Sequence, residues 1–358
     1  MSAPTLSLSP DLLSLLHAPV SGERPTPAEF FSQPPVSALY AQAKDPAYSA
    51  AVLQALAELL PELPPYPASL LALMSGSLVE SGADPTLLFP CGLTLMQRWL
   101  ERLAPYCARE VEAEDAEDDP EATQAWATAQ ARIEALAGAE ADTIDALFEA
   151  VELLVLPMMA MVLRDEGNHQ RFLADHALQE HIASLYDNDS LPFEQLYFLW
   201  LAACISYEDE LVVVLPATGT GLVVRAHGVN NNFHTFSLLQ QLMAEHQQAL
   251  GITLPATAHS DSDGDGDSDG ADSAAFAWLQ ATAYAQGKLV NDLAWAWGEA
   301  PLRHNARRQG HCVLIALDQP DACRRNWSGF DSPCHDAQNP HLVFKRYLTP
   351  EEVAAFLD

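Results

Sequence analysis

The residues in this chain best suited to chemistry are the carboxylates of the run Asp261–Asp272, DSDGDGDSDGAD. Acidic oxygens on alternate residues suit a hard, oxygen-seeking cation. Taken as a twelve-residue calcium loop, Asp261, Asp263 and Asp265 stand at positions 1, 3 and 5, Gly266 supplies the turn at 6, and Asp269 and Asp272 fall at 9 and 12. Three departures weigh against that use. Position 12 is Asp rather than the longer bidentate Glu, position 8 is Ser268 where an apolar residue ties such a loop down, and residues 251–260 are not an entering helix. An Asp-Ser-Gly repeat is also what a solvated linker looks like. The linker is the favoured reading, and calcium is the one cofactor the sequence suggests.

A second set of ligand-type residues, Glu166, His169, His176 and Glu180, projects from one face if residues 166–181 form a single helix. Di-iron bundles use a Glu-x-x-His pair twice, and the chain holds no second one. A solvated polar face is the simpler account. His311, Cys312, Cys323, Cys334, His335 and His341 collect near the C-terminus, but the cysteines are eleven apart, and strand neighbours such as His311 and Cys312 point to opposite faces. The Cys334-His335 couple leaves a thiol nucleophile as an alternative. No Gly-x-Ser-x-Gly elbow, phosphate-binding Gly-rich loop or His-Glu-x-x-His motif occurs. Trp295 and Trp297 lie close in sequence to His304, Arg307 and Arg308, and Trp and Arg are enriched where proteins bind one another. These four Trp and Arg residues are the expected partner-binding set, with an internal contact as the competing explanation.

The elements that must position these groups change character along the chain. Through about residue 207 the pattern is helical, with apolar residues at three- and four-residue spacing in Ala50–Leu60, Leu87–Leu103, Ile144–Leu163 and Phe172–Tyr186. Asp-Pro pairs at 45–46, 84–85 and 119–120 each precede such a pattern. Asp accepts from the unpaired amides of a first helical turn, and Pro at the first position gives up an amide that had no partner. Their spacing, 39 and 35 residues, is near that of helix-pair repeats, so the region is either an irregular bundle or solenoid-like.

Beyond residue 208 β-branched runs begin. LVVVL at 211–215 and LVVR at 222–225 flank Thr218-Gly219-Thr220-Gly221 and read as a hairpin. A helix follows from the Asn230–Asn232 cap signal. Another is expected over Ala274–Ala285, strands at Cys312–Leu317 and Leu342–Tyr347, a loop over Cys323–Asn339, and a last helix opened by the capping box Thr349-Pro350-Glu351-Glu352. The expected fold is α+β in two parts: an acidic all-helical domain, residues 1–207, and a smaller α+β domain, residues 208–358, interrupted by the Asp/Gly/Ser-rich loop at 256–273. The four strand segments at 211–215, 222–228, 312–317 and 342–347 should form one short antiparallel sheet whose strand order the sequence does not reveal.

Composition narrows the function. The 358 residues include 49 acidic and 17 basic ones, a formal net charge of −32, yet 49% are hydrophobic. Such a chain can build a core, and it is repelled by phosphate backbones and anionic headgroups. Nucleic-acid and membrane partners are therefore not expected. The N-terminus has no basic residue ahead of its short apolar stretch, and the longest apolar run, Leu153–Leu163, is eleven residues. With six scattered cysteines, this argues for a cytoplasmic protein with reduced thiols. Residues 1–287 hold 40 acidic and 9 basic residues, whereas 288–358 hold 9 and 8. The acidity is an N-terminal property, and eight carboxylates crowd residues 110–121. The leading expectation is a non-enzymatic interaction protein, a regulator, inhibitor or immunity-type scaffold, meeting a basic protein partner. The alternatives are an enzyme of unfamiliar type with its site in the C-terminal domain, around His304, Arg307, Arg308 and His335, and a calcium-responsive interaction module.

Overall fold

A computed structural model describes residues 8–18, 24–113, 115–136, 138–229, 231–253, 273–281, 284–285, 288–289, 300–305, 307–326 and 340–357. The chain divides into two units, Met1–Ala203 and Cys204–Asp358. The first is helical: α1 (Pro10–Leu16), α2 (Pro27–Ser32), α3 (Pro34–Ala43), α4 (Pro46–Leu59), α5 (Pro65–Glu80), α6 (Phe89–Leu103), α7 (Pro120–Ala135), α8 (Ala139–Leu163), α9 (Glu166–Ala174), α10 (His176–Leu185) and α11 (Leu196–Cys204), which ends at the boundary. The fold is α+β in two parts.

Two of the three Asp-Pro pairs start helices as the chemistry dictates. The Asp45 carboxylate accepts from the Ala47 amide (3.0 Å) ahead of α4, and Asp119 accepts from Ala122 (2.9 Å) ahead of α7. The third does not. Asp84 accepts from the Thr86 amide (2.9 Å) and hydroxyl (2.7 Å), forming a local turn, and α6 begins only at Phe89. The near-regular spacing therefore marks no repeat. Helices distant in sequence pack together instead: α5 and α6 both lie on α8, and α10 lies on α6, as in a bundle.

A close approach between α5 and α8 explains two residues that helices usually avoid. Pro157 sits inside α8, where it removes a backbone donor, and Gly76 sits inside α5. A Cβ at Gly76 would lie 2.8 Å from Pro157 Cα, so these backbones meet where one partner has no side chain. By length and composition, Glu140–Leu163 of α8 is long and apolar enough to span a bilayer, which the eleven-residue run did not foreshadow; yet 67% of its apolar 18-residue window is buried, and α8 serves as the core helix of its unit.

The second unit is built on one sheet. Strands β1 (Ser206–Leu215) and β2 (Thr220–Val229) form the expected hairpin, with Gly219 at φ +63° in its turn. Helix α12 (Asn232–Glu245) starts at Asn231, whose side chain accepts from the His234 amide (2.9 Å), and short α13 (Gln247–Leu250) follows. Then come β3 (Ser273–Ala281), β4 (Tyr284–Ala285), β5 (Lys288–Leu289), β6 (Arg307–Arg308), β7 (His311–Asn326), β8 (His341–Tyr347) and α14 (Pro350–Leu357). The main sheet has the order β3-β7-β1-β2-β8, with β6 paired to β7. The four strand segments read from the sequence are thus neighbours in one sheet. The sheet is mixed, because β1 and β7 run parallel while its other pairs are antiparallel.

Two expectations for this unit are corrected. The alanine-rich stretch from 274, read as a helix, forms β3: helix preference is worth only tenths of a kcal/mol per residue, and pairing with β7 overrides it. Strand β7 likewise runs on to Asn326, so Cys323 lies on a strand rather than in a loop.

LVVVL shows no alternation because both faces of β1 are covered. Leu211, Val213 and Leu215, with Val224 and Leu314, pack with Leu239 and Met243 of α12. Val212 and Val214, with Val223 and Ile315, pack with Val353 and Phe356 of α14.

Candidate functional site

The described part of the acidic segment runs through an exposed loop between α6 and α7 into the first turn of α7. The amides of Asp115 and Ala116 donate to Glu112 O (both 3.0 Å), and those of Asp118 and Asp119 donate to Asp115 O (3.0 and 2.9 Å). Glu110, Glu112, Asp115, Glu117, Asp118, Asp119 and Glu121 are all exposed. At its base the loop is tied to the turn between α10 and α11. The Ala108 amide donates to Ser190 Oγ (2.8 Å), Ser190 Oγ donates back to Ala108 O (2.7 Å), and the Glu110 amide donates to Asp189 Oδ2 (2.8 Å). Buried Asn188 shapes that turn by donating to Leu185 O (2.6 Å) and Leu191 O (2.8 Å) and accepting from the Leu191 amide (2.8 Å).

This scaffold adds exposed Asp187 and Asp189 to the surface. Arg109 pairs with Asp187 at 2.8 Å, but both side chains are more than half exposed, and such pairs contribute about 0–1 kcal/mol. Negative charge therefore dominates. Beside it, the Tyr186 ring stacks on Trp200 (4.8 Å, 18°), and Tyr197 lies 5.8 Å from Trp200 and is 39% exposed. Aromatic rings next to carboxylates favour a cationic side chain both by charge and through the ring face.

The other ligand-type residues are distributed differently. Asp175 ends α9 and caps α10 by accepting from the Leu178 amide (3.2 Å), so the single helix expected over 172–186 is two and the row of Glu166, His169, His176 and Glu180 is broken. His169 is fully buried and donates from Nε2 to Ala202 O (3.0 Å), whereas Glu166, His176 and Glu180 face solvent. His311 and Cys312 take opposite faces of β7, the first against Phe356 and the second in the core under α12. Arg307 and Arg308 form β6. Arg307 reaches Asp209 (3.4 Å), and Arg308 donates to the carbonyl of Phe356 at the end of α14. Asp261, Asp263, Asp265, Asp269 and Asp272, with Trp295 and Trp297, lie outside the described residues, as do Cys334 and His335. Among the described residues no three His, Cys, Asp or Glu side chains gather to hold a metal ion.

One pairing had no sequence signal. Cys204 Sγ and His304 Nε2, a hundred residues apart, approach to 4.0 Å. A nucleophilic thiol needs the opposite electrostatics from those found here. Burial pushes the Cys204 thiol up to about 12, and burial with neighbouring Arg303 pushes the His304 imidazole down, so both groups stay neutral. No family model, curated protein or solved structure matches this chain.

Proposed function

We propose that this is a non-enzymatic, cytoplasmic interaction protein, a regulator, inhibitor or immunity-type scaffold, whose helical unit presents an acidic surface to a basic protein partner. The observation that supports it is the exposed loop between α6 and α7, tied through Ala108 and Glu110 to the 187–190 turn, whose described carboxylates face solvent beside the Tyr186–Trp200 stack. Like charges that merely solvate a chain need no such anchoring. Here the surface is preorganised, which lowers the ordering cost of binding, and its charge speeds encounter with a basic surface. The α+β unit is a second compact unit whose thiols Cys204 and Cys312 are held protonated by burial.

The test is capture from the native host at low and high salt, using the native chain and a variant with Glu110, Glu112, Asp115, Glu117 and Asp118 changed to their amides. Asp119 is kept because it caps α7. A basic protein retained at low salt, and lost both at high salt and by the variant, is the expected result. Capture that ignores salt, capture equally strong with the variant, or none at low salt overturns the proposal.

A further inference from the structure

On the sheet face that α14 covers at one end, the other end carries a row of three rings on three adjacent strands. Tyr207 of β1 stands opposite His227 of β2, and His227 stands opposite His341 of β8. The two imidazole centroids are 5.0 Å apart with their planes tilted by 36°, and the Tyr207 and His227 rings are perpendicular to one another at 4.7 Å. Both histidines are partly exposed. The next rung on this face is Glu210 opposite Arg225, whose charges offset one another.

We propose that His227 and His341 form a two-imidazole site for a divalent transition-metal ion of the Zn2+, Ni2+ and Cu2+ class. The spacing carries the argument. With one nitrogen of each ring turned toward a shared ion, metal–nitrogen bonds of about 2.0–2.1 Å put the ion roughly 3.2 Å from each ring centre, and centroids 5.0 Å apart are then compatible with an angle of about 100° at the ion. That lies between square-planar and tetrahedral geometry, the two arrangements these ions favour with imidazole. Adjacent strands fix both ligands before the ion arrives, and Tyr207 limits the swing of His227. Partial exposure leaves the remaining positions to water or to a donor from another molecule. Both ligands would bind as neutral imidazoles, each through one ring nitrogen. The site is independent of the acidic surface of the helical unit.

The experiment is calorimetric titration of the full-length, chelator-treated chain with Cu2+ and with Zn2+ at neutral pH, in excess Ca2+ to occupy oxygen-rich carboxylate runs. Electron paramagnetic resonance of the Cu2+ form reports its nitrogen ligands. One ion per chain with two imidazole nitrogens is expected, with His227→Ala and His341→Ala each weakening binding tenfold or more and His176→Ala, a solvent-facing control, leaving it within twofold. Metal-free unfolding curves establish that the variants fold. Absence of binding, affinity unchanged in both site variants, or equal loss in the His176 control overturns the proposal.

Discussion

At the scale of single residues, two glycines and four thiols separate packing from chemistry. Gly76→Ala adds a methyl group against backbone atoms of Pro157, which cannot move without shifting α8. Overpacking of this kind costs about 1–3 kcal/mol, against up to about 1 kcal/mol gained in helix preference, so a net loss of about 1–2 kcal/mol is expected in denaturant unfolding. Gly92→Ala meets Met158 Sδ at 2.7 Å, a flexible group, and should be near neutral. Equal effects of the two substitutions would contradict the proposed contact between α5 and α8. Burial also holds every thiol that the structure describes as free well above neutrality: Cys91 and Cys312 are pushed up to about 11, Cys107 and Cys204 to about 12. Alkylation followed by mass spectrometry at pH 7.5 should leave these four unmodified until the chain is unfolded. Rapid labelling of Cys204 in the native protein would reopen a role for its contact with His304.

At the scale of elements, α14 is the clearest case of a sequence signature producing its geometry. The Thr349 amide donates to Glu352 Oε2 (2.8 Å), and the Glu352 amide donates to Thr349 Oγ1 (3.3 Å), closing the capping box read from Thr349-Pro350-Glu351-Glu352. Arg346 of β8 donates twice to the same carboxylate (2.8 Å each). The Arg346 pair and the Thr349 amide lower the Glu352 carboxyl to about 2. A depressed carboxylate stabilises the fold above its unfolded value, about 4.3, and that contribution disappears as pH falls toward about 2. Protection of α14 amides, taken relative to the intrinsic exchange rate at each pH, should therefore fall through this window in the native chain, and Glu352→Gln should flatten the dependence. Unchanged dependence in that variant would assign the effect to another group. The same local chemistry that starts α4, α7, α12 and α14 also ended an expected helix, because Asp175 is as good a cap as Asp45 and the chain used it.

At the scale of the whole molecule, charge is the dominant property. Residues 1–203 carry 30 acidic and 8 basic residues. In the helical unit, ion pairs join Arg24 to Asp145 and Glu149 and Arg109 to Asp187. Self-repulsion on this scale opposes the folded state. Raising salt from about 0.1 M to about 1 M shortens the screening length from about 10 Å to about 3 Å, so the melting temperature should rise with NaCl. A melting temperature that falls with salt would mean that favourable pairs outweigh the repulsion, against the charge distribution described above.

The sequence alone determined what depends on neighbours a few residues away: the helix starts at Asp45, Asp119 and the Asn231 cap, the β1–β2 hairpin, the capping box of α14, four of the strands of the main sheet, and the N-terminal location of the negative charge. Caps, turns and hydrophobic periods act over one or two turns of chain, and a residue's charge does not depend on its fold. Tertiary structure decided what depends on pairing at a distance. It made β7 parallel to β1, turned an alanine-rich stretch into β3, set Gly76 on Pro157, and tied the acidic loop to a turn some eighty residues away. It also took His169 from a supposed ligand row into the core and aligned Tyr207, His227 and His341 across three strands. Register and packing are long-range properties, fixed by which surfaces must be buried together, and no local pattern in the chain encodes them.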